Sequence, residues 1–124
     1  MIKIINKVGF DINILGNHEF DYGIEKLMKL GKNLTTNYIC SNFCYRENKT
    51  TIFGPYKVLE VNNKKLPFLA FLTPLTFSKT YLVSIKDSDG KPLYDFLTDN
   101  NAQELYDKVQ EYINKLKEEE KWIM

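Results

Sequence analysis

With 124 residues, 44% of them hydrophobic and 14% aromatic, the chain is long enough to bury a core, and nothing in its composition points to disorder. Its 17 basic and 16 acidic side chains leave a net charge of +1, which excludes an overall field for gripping nucleic acid or an anionic membrane. No apolar run approaches the roughly 20 residues that span a bilayer, and Met1-Ile2-Lys3-Ile4-Ile5-Asn6-Lys7 is too short and too charged for a signal peptide.

Ile2, Ile5 and Val8, followed by Gly9, predict the end of an amphipathic helix closed by a glycine. Ile12-Asn13-Ile14-Leu15 then reads as a strand that stops at Gly16. A polar loop follows, and Ile24, Leu27, Met28 and Leu30 mark a short helix closed by Gly31, with Glu25 near its start and Lys29 and Lys32 near its end. Tyr38-Ile39-Cys40-Ser41 is expected as a short buried strand. Cys40 and Cys44 flank Ser41-Asn42-Phe43, too few for a metal cluster and not spaced as a redox pair, so they read as ordinary small residues. Asn33-Leu34-Thr35 and Asn48-Lys49-Thr50 fit the glycosylation sequon, which matters only on a secretory route.

Tyr56 to Val61 mostly alternates, Asn62-Asn63-Lys64-Lys65 is a turn, and Leu66 to Leu72 is an apolar run ended by Thr73-Pro74. This predicts a hairpin with one solvated face, Pro67 being tolerated at the start or edge of its strand because it has no N–H for a ladder. From Thr76 to Thr98 the pattern is irregular and reads as a long excursion loop, with Asp87-Ser88-Asp89-Gly90 as a plain turn, since the other ligands of a calcium loop are missing. Ala102, Leu105, Tyr106, Val109, Tyr112, Ile113 and Leu116 fall on one stripe of a surface helix, with Asn101 and Glu104 placed as a capping box. Lys121-Trp122-Ile123-Met124 looks like the start of another strand.

The chemistry-bearing stretch is Gly16-Asn17-His18-Glu19-Phe20-Asp21-Tyr22-Gly23, which gathers an amide oxygen, two carboxylates and the chain's one histidine between a strand and a helix. In open α/β sheets, ligands bind at loops leaving the carboxyl ends of strands, which is where this octapeptide falls. On the residues alone, a loop histidine beside asparagine is more often structural, and Asp21 ahead of a helix is more often its N-cap.

The octapeptide resembles the Asn-His metal-binding motif of the calcineurin-like metallophosphoesterases, and in this longer form it is similar to the 5′-nucleotidase branch. The resemblance extends to Lys7-Val8-Gly9-Phe10-Asp11, to Gly54-Pro55-Tyr56, to Leu72-Thr73-Pro74, and to Ser78-Lys79-Thr80 and Ser84-Ile85-Lys86-Asp87 ahead of the last helix. It implies an α/β fold class, with residues 1–124 forming the central part of a four-layer α/β/β/α metallophosphoesterase sandwich, incomplete, and partial as a catalytic domain. It implies Asn17 as a ligand of one of two divalent metal ions (zinc, manganese, iron, cobalt, magnesium or calcium), about 4 Å apart in such centres. By the same resemblance, His18 stabilises the transferring phosphoryl or protonates the leaving alkoxide, a task suited to an imidazole, and Asp21 pairs with it. Glu19 is expected to face away as a structural residue.

Such enzymes also draw ligands from Asp-x-His, Gly-Asp, a further histidine and Gly-His-x-His, and a single histidine cannot supply them. The resemblance therefore implies that the isolated chain does not retain the metals and is inactive, its intact counterpart hydrolysing a nucleotide or another phosphoester. A non-catalytic remnant acting as an interaction module, and a phosphoesterase for cyclic nucleotides or nucleotide sugars, stay open as alternatives. Unpaired sheet edges raise edge-mediated self-association. Many members of the branch are exported, although no signal peptide stands at the start of this sequence.

Overall fold

The computed structural model describes residues 2–73, 81–97 and 99–120. The chain is mixed α/β. The opening helix α1, Ile2–Val8, ends where expected: Gly9 takes φ +75°, and its N–H bonds the Ile5 carbonyl at 3.1 Å. α1 lies against the end of the next helix through Asn6, whose Nδ2 donates to the Asn33 carbonyl while its Oδ1 accepts the Thr35 N–H.

β1, Asn13–Ile14, pairs in parallel with β2, Tyr38–Ile39, in the register Asn13 to Tyr38 and Ile14 to Ile39. The connection is right for a parallel pair, because α2, Ile24–Asn33, crosses between them and buries Ile24, Leu27 and Gly31. Gly31 does not close this helix, which continues to Asn33. Its smallness serves packing instead: a Cβ there would lie 2.5 Å from Asn37 Oδ1 and 3.1 Å from Phe53 Cε1. Asn37 Oδ1 is already engaged by the Tyr38 N–H at 2.7 Å, so it yields only by giving up that bond at the start of β2. Gly31→Ala is accordingly expected to lower stability by about 1–2 kcal/mol despite alanine's better helix propensity, overpacking costing more than propensity returns. A urea midpoint at or above that of the parent would refute this account of Gly31.

The strand after α2 is shorter than the expected Tyr38 to Ser41. Beyond Ile39 the chain still finds partners, the Cys40 N–H on the Gly54 carbonyl and the Ser41 N–H on the Ala70 carbonyl. β3, Cys44–Tyr45, then pairs antiparallel with β6, Tyr94–Asp95. β6 and a 3₁₀ turn at Tyr81–Ser84 give regular structure to part of the expected excursion loop. The plain turn at Asp87 stands: its Oδ1 accepts the N–H groups of Asp89 and Lys91, while Oδ2 meets Arg46 at 3.3 Å. The backbone donor at Lys91, joined by that at Asp89 and by the Arg46 guanidinium, outweighs the opposing desolvation and holds this carboxyl below the usual range.

The hairpin is β4, Tyr56–Val61, with β5, Lys64–Leu69, in register from Tyr56 to Leu69 through Val61 to Lys64. Its turn is tighter than expected. Asn62 and Asn63 both adopt positive φ, 52° and 64°, the signature of a two-residue type I′ turn whose twist suits the strands, so Lys64 and Lys65 join the ladder. One face meets the last helix, Tyr56 packing edge-on against Tyr112 at 5.9 Å. The opposite face carries Val61, Leu66 and Phe68, exposed.

That last helix, α3, spans Asp99–Glu120 and buries Tyr112 and Leu116. It starts ahead of Asn101, which therefore lies within the first turn and not at the cap, and Tyr106, 66% exposed, falls outside the buried stripe. The core gathers Leu15, Phe20, Leu27, Phe43, Phe53, Leu72, Leu82, Tyr94 and Phe96. Both cysteines are free and buried within it. The expected features at Pro74, Phe77, Ser78 to Thr80 and Lys121 to Met124 lie outside the described residues.

Burial raises both the Cys40 and the Cys44 thiols, and Cys44 gives the alkaline limb of stability a defined window. Burial first, then the charge of Asp95, raises Cys44 from 9.0 to about 11. Because the folded value is the higher one, the contribution is whole below pH 9, where both states keep the proton, and is lost as pH rises toward about 11. Stability is expected to fall through that window, and Cys44→Ala to flatten the fall. An unchanged slope in the variant, read by urea titration at several pH values, would remove the thiol from the account.

Candidate functional site

The octapeptide forms a tight succession of turns. After Leu15, which is buried, Gly16 is extended, and Asn17–Phe20 make a 3₁₀ turn before α2. The Asp21 N–H bonds the His18 carbonyl at 3.1 Å, and the Gly23 N–H bonds the Phe20 carbonyl at 3.2 Å. Gly23, at φ +101°, turns the chain into α2, a conformation that L side chains rarely adopt.

In a 3₁₀ turn, positions i and i+3 eclipse. His18 and Asp21 therefore fall on one side, and His18 Nδ1 lies 2.9 Å from Asp21 Oδ2. The carboxylate accepts only, so the imidazole presents Nδ1–H to it and leaves Nε2 free of this contact. The pair is open to solvent, with the His18 and Asp21 side chains 83% and 53% exposed. Phe20 points the other way and is fully buried. Asp21 also occupies a helical backbone position after the 3₁₀ turn, and Gly23, not Asp21, is the N-cap of α2. This separates it from the capping role that its place in the sequence suggested.

Glu19 folds back upon its own turn, its Oε2 3.0 Å from where a Cβ on Gly16 would sit. Its charge adds to burial in raising the Tyr38 phenol. The side chain of Asn17 lies outside the described residues. Tyr22 is exposed, with the Lys26 ammonium 6.0 Å from its ring. Among the described residues, no group of three or more His, Cys, Asp and Glu gathers closely enough to hold a metal ion.

The support of this turn escaped sequence reasoning. Phe20 meets Phe43 edge-on at 5.3 Å and Phe96 at 6.3 Å. Asn42, fully buried, ties the two remote segments together: its Nδ2 donates to the carbonyls of Leu72 and Phe96, and its Oδ1 accepts the Leu72 N–H. The available signal was a polar Ser41-Asn42 pair set within an otherwise apolar stretch. Because the His18 and Asp21 side chains are exposed, Asp21→Asn is expected to change stability by less than about 1 kcal/mol. A thermal shift larger than that corresponds to would make the pair structural.

No family model matches the sequence. Among curated proteins, the chain is 26% identical over 115 residues to the cell wall protein Lmo0130 of Listeria monocytogenes, covering 77% of this chain and 14% of that one. It is 30% identical over 81 residues to the snake venom 5′-nucleotidase of Gloydius brevicauda, covering 61% and 14%. Among solved structures, the 5′-nucleotidase precursor of Thermus thermophilus superposes with a TM-score of 0.65 at 24% identity, over 93% of this chain and 20% of its own. The chain resembles a part of the 5′-nucleotidases. The calcineurin-like phosphoesterase YfkN of Bacillus subtilis superposes similarly, with a TM-score of 0.62 at 19% identity over 90% of this chain and 34% of its own. This nucleotidase-like chain spans about a seventh of the length of the curated relatives it matches. Its two-residue parallel pair, helix and hairpin are thus a small piece of the nucleotidase fold, and the 3₁₀ turn stands at the carboxyl end of β1 within it.

Proposed function

We propose that the chain is the central part of a metal-dependent phosphoesterase of the 5′-nucleotidase type, hydrolysing phosphate esters of nucleotides when the remainder of the enzyme is present. On this reading, residues 1–124 are a partial catalytic domain from a four-layer α/β/β/α sandwich. The observation that carries it is the solvent-facing contact of His18 Nδ1 with Asp21 Oδ2 at 2.9 Å, on a turn leaving β1, in a chain with a nucleotidase-like fold. Asp21 orients the imidazole and compensates its charge when protonated. His18 then offers Nε2 to the phosphoryl group or to the leaving oxygen. Asn17 is assigned to a divalent metal by its place in the motif.

The chain's own donors do not complete such a centre. Its one histidine cannot stand in for the several histidine-bearing motifs from which such enzymes draw their ligands. The isolated chain, given a nucleoside monophosphate with manganese or zinc, is expected to release phosphate at no more than a marginal rate. Turnover comparable to an intact nucleotidase would overturn that expectation. The reading itself is tested on the surrounding coding sequence, expected to run in frame into Asp-x-His upstream and Gly-His-x-His downstream. In the enzyme so encoded, Asn17→Ala is expected to weaken metal binding, whereas His18→Ala lowers turnover by about 10²–10⁴-fold with metal retained. Equal metal loss in both would dissolve this division of roles.

A second reading, an interaction module that associates through its open surfaces, is favoured by Ile4, Val8, Phe10 and Ile14, all at least half exposed. Light scattering on the purified chain separates the two, since a stable monomer at high concentration speaks against it.

A further inference from the structure

His18 stands on the surface, and among the described side chains of the turn that carries it Phe20 is the buried one. Phe20 in turn meets Phe43 and Phe96, and Phe96 lies far along the sequence, in the segment that follows β6. That segment is fixed independently of the turn. The Phe96 carbonyl accepts from Asn42 Nδ2, the Leu97 N–H bonds Asp95 Oδ1, and Asp95 Oδ2 meets Lys49 Nζ at 2.7 Å.

We propose that Phe96 is a positioning residue for the His18 and Asp21 pair, acting through the ring of Phe20. This rests on reading that pair as the working element of the site. The route is short. Phe20 lies between Glu19 and Asp21 in a turn whose N–H bonds link Asp21 to His18 and Gly23 to Phe20, so a shift of its ring seat that displaces its Cα moves the Asp21 carboxylate relative to the imidazole. The pair, with His18 mostly and Asp21 about half exposed, has little packing of its own to restore that geometry. Replacing an aromatic edge with a smaller, flexible aliphatic group removes the contact that selects one ring orientation.

The test uses the full chain, labelled with nitrogen-15 and observed in alkaline buffer where an imidazole is neutral. The parent is expected to show the Nδ1–H tautomer, the form a carboxylate partner selects. Phe96→Leu is expected to lose that preference, the two ring nitrogens moving toward averaged shifts, while circular dichroism retains the native spectrum. Phe96→Met, closer in volume, serves if the leucine variant does not fold, and the same loss is expected there. Leu116→Val, a comparable core truncation on α3, is expected to lower the melting temperature while leaving the tautomer untouched.

Retention of the Nδ1–H form in the folded Phe96 variants overturns the proposal, as does its loss in Leu116→Val or its absence from the parent. The catalytic reading fails differently, by an inactive completed enzyme in which His18 still shows the tautomer.

Discussion

Phe43→Ala is expected to remove about 3–5 kcal/mol, a large share of the free energy that holds the chain folded. Phe43 is fully buried and is the hub of the aromatic core, its ring 5.3 Å from Phe20, Tyr94 and Phe96 and 6.3 Å from Phe53. Those partners arrive from the candidate site, from β6 and from the segment before the hairpin, so the truncation opens a cavity that no single element can collapse into. Removing a buried phenylalanine costs about 3–5 kcal/mol. A whole domain commonly has only about 5–15 kcal/mol in hand. Far-UV circular dichroism and a urea titration would measure the loss. A sharp transition within about 1 kcal/mol of the parent would show that the aromatic cluster is not the centre of this core. Phe43→Leu keeps much of the volume and is expected to cost less than the alanine change.

Asn42 produces the second large effect, for a different reason. Its side chain satisfies main-chain groups that are themselves out of water: the Leu72 N–H at 2.8 Å, the Leu72 carbonyl at 2.9 Å and the Phe96 carbonyl at 3.2 Å. An apolar replacement strands the two Leu72 groups, at about 1–3 kcal/mol per buried unpaired group, and Asn42→Leu is expected to cost about 2–6 kcal/mol in total. Asn42→Asp is the more diagnostic change. The carboxylate still accepts from Leu72 but turns negative charge toward two carbonyl oxygens, which raises its folded pKa above the unfolded value. Its stability is therefore expected to improve as pH falls, opposite to the usual acid destabilisation. An aspartate variant that weakens on acidification would mean that the two carbonyls do not face this side chain.

The two residues also show where sequence pattern stops being informative. The chain order of helix, strand, polar loop, helix and hairpin was legible because each boundary carries local chemistry: Gly9 at positive φ, Gly16 and Gly23 around the octapeptide, and two asparagines at the hairpin tip. The long last helix was legible because its apolar period repeats often enough to stand out. The pairing of Cys44 with Asp95 and Tyr45 with Tyr94 was not, since two-residue strands have no period to read and their partners lie far apart in the chain. Gly31 misled for a related reason. Near the end of a helical pattern a glycine looks like a cap, and only the approach of Asn37 and Phe53 reveals that room for a side chain is what the site lacks.

At the candidate site, the resemblance picked out Asn17, His18 and Asp21, and the geometry brings His18 and Asp21 into contact. The elements beneath them belong to no motif. Phe96 lies in a stretch whose irregular pattern gave no periodic signal, and Asn42 follows the expected strand of Tyr38 to Ser41, where no pattern marks a buried polar residue. Both act through tertiary neighbours, which one sequence does not display.

The hairpin turn has a consequence for the order of assembly. Asn62 and Asn63 join β4 to β5 with two residues between them, a pairing of the kind that closes in about 1–10 μs. β3 and β6 must instead find each other across a long intervening chain, and long-range pairings are the slow ones. The residue that follows them, Phe96, reaches Phe20 only when that search is complete. In a refolding experiment the hairpin should therefore acquire amide protection early, and the turn bearing His18 should be among the last parts to gain its native contacts, so that maturation of the site reports completion of the fold.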